Sequence, residues 1–315
     1  MKILFMGTPD FAAEILNDLC KSGHNVIGAV SQPDKPKNRG HKLVPTDVKV
    51  KAQKLGVDVY QPETLKKDAF LPVLRELDPD MIIVAAYGRI LPDYIIDYPE
   101  YGCINVHASL LPKYRGAAPI QHAIINGDSE TGVSIMKMDK GLDTGDVVSI
   151  AKTPIGEYET AGELFQRLAE LGGELLIKTI KDIEDGTAVY TPQDDSKSSY
   201  ASKITKEMSE IDWSKSAFEI SKLICGMNPF PGAYTFYKND TVKIYEAEIT
   251  DGDATPGEIL GIEKKKGLKV ACGSGALYIK TVQFAGSKKM NVEDYARGHE
   301  ILSGVVMGET NRLVV

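Results

Sequence analysis

Hydrophobic positions along the chain change period many times, and each change marks an element. Short apolar runs at residues 2–6, 25–31, 57–60, 81–86 and 103–106 have strand length. Residues 9–21, 46–55 and 66–77 place apolar side chains at helical spacing instead. The run 81–86 is apolar almost throughout, as in a parallel strand covered on both faces. Such alternation predicts an α/β fold, a Rossmann-like doubly wound sheet. Strands at 133–138 and 147–155 and a helix at 120–126 extend it. A long amphipathic helix follows at 160–184, with Leu164, Leu168, Leu171, Leu175 and Ile183 on one side. Thr160 and Glu163 have the spacing of a capping box at its start.

Beyond residue 185 the pattern turns polar, with Gly186, Pro192 and the run Asp194 to Ser199. A first domain over 1–189, a linker over 190–206 and a second domain over 207–315 are expected. In the second, residues 211–214 are expected to cap a helix at 217–226, with Trp213 as a core anchor. Runs at 233–237, 241–250, 258–262, 268–272 and 276–283, separated by turn residues, predict a small β-barrel.

Punctuation adds detail. After the first strand come Gly7, Thr8, Pro9 and Asp10, a tight turn into a helix that Thr8 is expected to cap. The G-x-G-x-x-G fingerprint is absent, which argues against a dinucleotide site. Residues 32–44 have no period and carry Pro33, Pro36 and Gly40, so a loop is expected. From Lys35 to Lys54 there are seven Lys and Arg residues against one acid, Asp47. An arbitrary basic run is a solvated face. In a chain with a formal charge of −7 it also suits a phosphate backbone. That same net charge disfavours broad, non-specific nucleic-acid binding. The four cysteines are scattered, with no C-x-x-C, which fits a reducing compartment without disulfides or a zinc site. A strand that begins at residue 2 leaves no room for a leader peptide, and no apolar run is long enough to span a membrane. A cytoplasmic protein is expected.

The chemistry concentrates between Asn105 and Pro119. Asn105 and His107 share one face of a strand end, ahead of a loop shaped by Pro112, Gly116 and Pro119. An amide that donates to an oxyanion, beside an imidazole, suits carbonyl chemistry. Ser109 lacks the G-x-S-x-G elbow of a nucleophile, so the substrate is expected to bring its own. The second segment, Lys140 to Asp146, offers a carboxylate that could orient His107. Spacing does not choose among Asp139, Asp143 and Asp146. The turn Tyr87-Gly88-Arg89-Ile90 reads equally as an ordinary loop or as exposed backbone for a flat heterocycle. His122, alone on a helix, reads as structural.

Asn105, His107, the Ser109-Leu110-Leu111-Pro112 loop and Asp143 in Gly-Leu-Asp-Thr-Gly resemble the signature of the folate-dependent formyltransferases. The match runs from Ile3 to Ala12, through Gln32-Pro-Asp and Arg115 to Gln121, to Asn311-Arg-Leu-Val. This resemblance implies a site of Asn105, His107 and Asp143, with Asp143 chosen by the match alone. It implies 10-formyltetrahydrofolate as co-substrate and no metal. Folate contacts would fall on Ser109, Leu110, Leu111, Pro112, Tyr87, Gly88 and Ile90. The implied acceptor is the methionine amino group of initiator methionyl-tRNA, met by Arg39 with Lys35, Lys37 and Lys42. The second domain would be OB-like and help hold that RNA, with Lys264, Lys265, Lys266, Lys288 and Lys289 as phosphate contacts. A monomer is expected. Formylation of an amino sugar nucleotide is a rival within the same chemistry. A non-catalytic nucleic-acid-binding protein is a rival of another class, disfavoured by the acidic charge and the polar triad.

Overall fold

Strand β1 (Lys2–Gly7) is the axis on which the first sheet is wound. The computed structural model describes residues 1–37 and 42–309; Arg39 and the match at 311–314 lie outside these residues. After β1 come α1 (Asp10–Lys21), β2 (Asn25–Val30), β3 (Lys35–Lys37), β4 (Lys42–Val44), α2 (Asp47–Leu55), β5 (Val59–Tyr60) and α3 (Lys67–Leu77). Then follow β6 (Met81–Ala85), α4 (Asp93–Ile96), β7 (Cys103–His107), β8 (Arg115–Gly116), α5 (Pro119–Ile125), β9 (Glu130–Lys137), β10 (Val147–Pro154) and α6 (Ala161–Glu184). The sheet order is β10-β9-β7-β6-β1-β2-β5. The pairs β5-β2, β2-β1, β1-β6 and β6-β7 are parallel, and β9 runs antiparallel to β7.

Alternation along the strands divides the core. Leu4, Met6, Ile82, Val84 and Cys103 pack with Phe70 and Leu74 of α3 and with Ile95 and Ile96 of α4. On the other face, α6 lies against β7 and β9. A Cβ placed on Gly172 would stand 3.0 Å from Val106 Cγ1, so glycine there lets the helix approach the sheet. Phe11 of α1 meets Phe165 of α6 edge-on at 5.3 Å. With helices on both faces, the sheet is doubly wound. The order reverses between β1 and β6, the kind of crevice where α/β sheets take ligands. Gly7 closes that point tightly, since an added Cβ would lie 2.5 Å from Ala12 Cβ and 2.9 Å from the Ala85 carbonyl.

Several local expectations are corrected. Thr8 does not cap α1; its hydroxyl donates to the Tyr87 carbonyl at 2.9 Å across the switch point, and α1 starts without a side-chain cap. Within the expected loop at 32–44, β3 pairs antiparallel with β4. Pairing between them, rather than an apolar period, makes these strands. Within the basic segment, Lys49 binds Asp34 at 2.6 Å and Lys51 binds Glu14 at 2.9 Å. Hydrogen bonds from Gln61 and Lys49 hold the Asp34 carboxyl below the usual range. The polar stretch expected as a linker is ordered against the first unit: Thr191 bridges Val147, and β11 (Tyr200–Ala201) pairs parallel with β8.

Two compact units emerge, the first made of 1–119, 130–153 and 165–202, the second of 120–129, 154–164 and 203–315. In the second, α7 (Ala217–Gly226) precedes β12 (Ala233–Tyr237), β13 (Asp240–Thr250), β14 (Ile259–Glu263), β15 (Gly267–Ala271), β16 (Ala276–Phe284), β17 (Met290–Asn291) and α8 (Val292–Ala296). These strands form an antiparallel sheet in the order β12-β13-β16-β15-β14, with β17 on β16. Strands β12 to β16 send side chains into one core with Ile220 and Ile224 of α7. Trp213 belongs to it, and its Nε1 donates to Thr235 Oγ1 at 2.9 Å. The cap of α7 is Ser216, boxed with Glu219, rather than residues 211–214. Ser214 instead spends its polar groups on Asp212.

Candidate active site

Three elements of the first unit supply the site: the end of β7, the loop that follows it, and the turn after β9. Register puts Asn105 between Val84 of β6 and Met136 of β9, and His107 beside Ser134. Both side chains are on the Cys103 face, as the strand period requires. Asn105 is 8% exposed. Among the described residues its amide makes no hydrogen bond, and it is not one of the fully buried polar groups left unpaired. It keeps residual exposure, so that amide is open to a ligand.

His107 has partners at both nitrogens. Its Nε2 is 2.9 Å from the Tyr114 carbonyl. A carbonyl only accepts, so Nε2 carries the proton. Its Nδ1 stands 3.8 Å from Asp143 Oδ2. Protonating Nδ1 therefore converts this approach into an ion pair. Of the three aspartates that spacing left open, Asp143 is the one that reaches His107. Asp139 Oδ1 instead accepts from the Gly141 amide and from Thr144 Oγ1, tying its own loop. Asp143 adopts a left-handed backbone at φ 53°, and its Oδ2 accepts from the Gly116 amide at 2.8 Å.

Among the described residues no free nucleophile stands on this face. Cys103 is two residues before Asn105, but burial pushes its thiol up to about 12. The Ser109 hydroxyl is buried and donates to the Lys113 carbonyl at 2.7 Å. Its own carbonyl accepts from Ser134 Oγ at 2.7 Å, and the same oxygen of Ser134 accepts from the Leu111 amide at 3.1 Å. Ser109 thus shapes the loop. Leu111 is buried, while Leu110 and Pro112 are half-buried.

The turn after β6 leaves the sheet beside β7. The Tyr87 ring is buried in the core, and its hydroxyl has no partner among the described residues. Burial raises that phenol above its ordinary value. The Tyr87 carbonyl already accepts from Thr8 and from Gln32 Nε2 at 2.8 Å. Ala86 and Gly88 are left-handed and exposed, Arg89 is tied to the Pro62 and Glu63 carbonyls, and Ile90 is 87% exposed. Of the expected folate contacts, Gly88 and Ile90 present open surface. Among the expected RNA contacts, Lys35 donates to Gln32 Oε1 at 3.0 Å, and Lys37 and Lys42 are register partners at the end of the β3–β4 pair.

No local pattern marks Gln193, Tyr114, Ser134 or Ser199. Their roles rest on contacts between distant segments: Ser199 Oγ accepts from the Tyr114 amide at 2.9 Å, and Gln193 reaches the Asp143 loop. The His122 helix falls in the second unit. Among the described residues no three His, Cys, Asp or Glu side chains group as a metal site, and no helix is long and apolar enough to cross a membrane.

Family models described as formyl transferase and as formyl transferase, C-terminal domain, match residues 1–180 and 203–300. The chain belongs to the formyl transferase family. A methionyl-tRNA formyltransferase of Alkaliphilus oremlandii is 47% identical over 311 residues, covering 98% of this chain and all of the relative. Further relatives of 44% to 48% identity carry the same name. Among solved structures, an N-formyltransferase from Helicobacter canadensis in complex with folinic acid and dTDP-3-aminofucose has a TM-score of 0.65 at 21% identity, over 92% of this chain and 100% of that one. HypX from Aquifex aeolicus has a TM-score of 0.66 at 18% identity over 95% of this chain, which spans about half of HypX, 49%. At these identities the two structures establish the formyl transferase fold alone.

Proposed function

We propose that this formyl transferase moves the formyl group of 10-formyltetrahydrofolate to the methionine amino group of initiator methionyl-tRNA, giving N-formylmethionyl-tRNA for translation initiation. The observation that carries the chemistry is an amide that keeps residual exposure and makes no hydrogen bond among the described residues, beside an imidazole–carboxylate pair and without a free nucleophile among the described side chains of that face. The acceptor amine fills that role. Its attack forms the new C–N bond and places negative charge on the formyl oxygen, where Asn105 donates. The bond to folate nitrogen then breaks, and one proton passes in net from the amine to that nitrogen. His107 takes a proton at Nδ1, with Asp143 opposite to balance the imidazolium. Folate is held by the backbone at Gly88, the exposed Ile90 and the loop at Leu110 to Pro112. The second unit, read as OB-like, and the basic segment with Lys35, Lys37, Arg39 and Lys42 take the RNA.

Formylation of an amino sugar nucleotide uses the same centre. Full-length similarity to proteins named for methionyl-tRNA, together with the basic segment, supports the RNA acceptor. The test is formyl transfer to charged initiator tRNA by wild type, His107→Ala and Arg39→Ala. Transfer by wild type, its loss in His107→Ala and a weakened reaction in Arg39→Ala are expected. Affinity for the tRNA should also fall steeply with salt, as phosphate contacts release counterions. A wild-type protein that formylates an amino sugar nucleotide but not the tRNA refutes the acceptor.

A further inference from the structure

The Asp143 loop is held by a side chain that comes from outside it. Gln193 Nε2 donates to the Asp143 carbonyl at 2.9 Å and to the Gly145 carbonyl at 2.7 Å. Its Oε1 accepts from Arg115 Nε at 3.1 Å and from a terminal nitrogen of Arg115 at 2.9 Å. Chemistry fixes the orientation of this amide. Guanidinium only donates and carbonyls only accept, so a flipped amide would face like with like on both sides. Arg115 is itself restrained, by Asp195 Oδ1 at 2.7 Å and by its own amide, which donates to the Ser199 carbonyl at 2.9 Å.

These bonds bear on a strained point. Asp143 is left-handed, a conformation that costs a residue with a Cβ, though an aspartate less than most, and that neighbouring contacts must hold. The two carbonyls clasped by Gln193 belong to Asp143 itself and to Gly145, so they anchor the backbone that leaves the Asp143 Cα and fix its ψ. The other constraint on its carboxylate, the Gly116 amide, follows Arg115 directly in the chain. Arg115 thus stands at both ends of the arrangement: its side chain fixes Gln193, and its neighbour binds Asp143 Oδ2.

We propose that Gln193 is a positioning residue for formyl transfer: locked by Arg115, it holds the Asp143 backbone so that the carboxylate faces His107 Nδ1. This rests on the formyl-transfer reading of the site. Gln193 touches no reacting atom in this scheme. It acts through Asp143, and its effect belongs to turnover rather than to substrate binding.

The test is Gln193→Glu, with Gln193→Met beside it. Glutamate keeps the length and still pairs with Arg115, but turns an acceptor toward two carbonyls. Methionine keeps the shape and has no donor. Both variants are expected to lose kcat by about 10- to 100-fold, the scale of a small misplacement of a catalytic group. KM for both substrates should stay within about twofold, as expected when an interaction made only in the transition state is lost. The Gly116 amide resonance reports where the Asp143 carboxylate lies and needs no substrate. It is expected to lose its hydrogen-bonded shift and its exchange protection in both variants. Wild-type kcat in Gln193→Glu, an unmoved Gly116 resonance, or failure of both variants to fold overturns the proposal, the last by making the residue structural. A wild type that transfers no formyl group, with the Gly116 resonance moved in the variants, sinks the functional reading separately.

Discussion

Asn105 and His107 are two residues apart, and the two-residue period of a strand puts both on one face. That pairing could be read from the chain because it depends on local geometry only. The partner of His107 could not. Asp139, Asp143 and Asp146 lie in a turn without a period, and the choice among them depends on how that turn meets a distant loop. The same holds for the ring nitrogens: the Tyr114 carbonyl fixes the proton on Nε2, and Tyr114 is itself left-handed at φ 61°. At this scale Asn105→Ala is the informative change. If the amide donates to a developing oxyanion, turnover should fall about 100- to 1000-fold while folate affinity holds. Steady-state kinetics and a folate binding titration measure the two separately, and an equal loss of both would assign Asn105 to binding.

Elements were legible where their signals were local. Thr160 and Glu163 form the capping box their spacing predicts: the Thr160 amide donates to Glu163 Oε2 at 2.9 Å, and the Glu163 amide to Thr160 Oγ1 at 3.3 Å. Where an end is set by tertiary contact, the local signal misleads: Thr8 turns to the Tyr87 carbonyl. The buried stripe of α6 includes Leu164, Leu168, Leu176, Ile180 and Ile183, while Leu171 and Leu175 are only half-buried. Its centre is Gly172, which no hydrophobic pattern singles out. Hydrogen bonds from the Thr160 backbone, then from its side chain, lower the Glu163 carboxyl below its ordinary value. A carboxylate with a depressed folded pKa contributes stability above its unfolded value near 4.3, and that contribution is lost as pH falls through the folded one. The stability gap between wild type and Glu163→Gln should therefore narrow between about pH 5 and pH 3. Thr160→Ala, which removes the other half of the box, should cost about 0.5–2 kcal/mol at neutral pH. Urea denaturation across that range measures both, and a gap independent of pH would deny Glu163 its role.

Across the whole molecule, burial decides the fate of the cysteines. Cys103 and Cys272 lie in separate cores, and burial pushes each thiol up to about 12. In the unfolded chain a thiol ionises near 8.5. Above that pH the unfolded state binds fewer protons than the folded one, so stability falls as pH rises from about 8.5 toward 12. At pH 8 both thiols should react with a disulfide reagent far more slowly in the folded protein than in denaturant. Thiol titration with and without urea checks this, and rapid modification of Cys103 in the folded protein would contradict it. By itself the sequence determined the alternation of strands and helices, the order of a doubly wound unit and a mostly β one, and the face shared by Asn105 and His107. Each follows from periods and caps that act within a few residues. Only the tertiary structure decided the winding about β1, the antiparallel β9, and the folding of residues 190–202 onto the loops that carry Tyr114 and Asp143. Those depend on hydrogen bonds between segments tens of residues apart, such as Gln193 to the Asp143 and Gly145 carbonyls, and polar residues in a stretch without a period give no local sign of the partner they will meet.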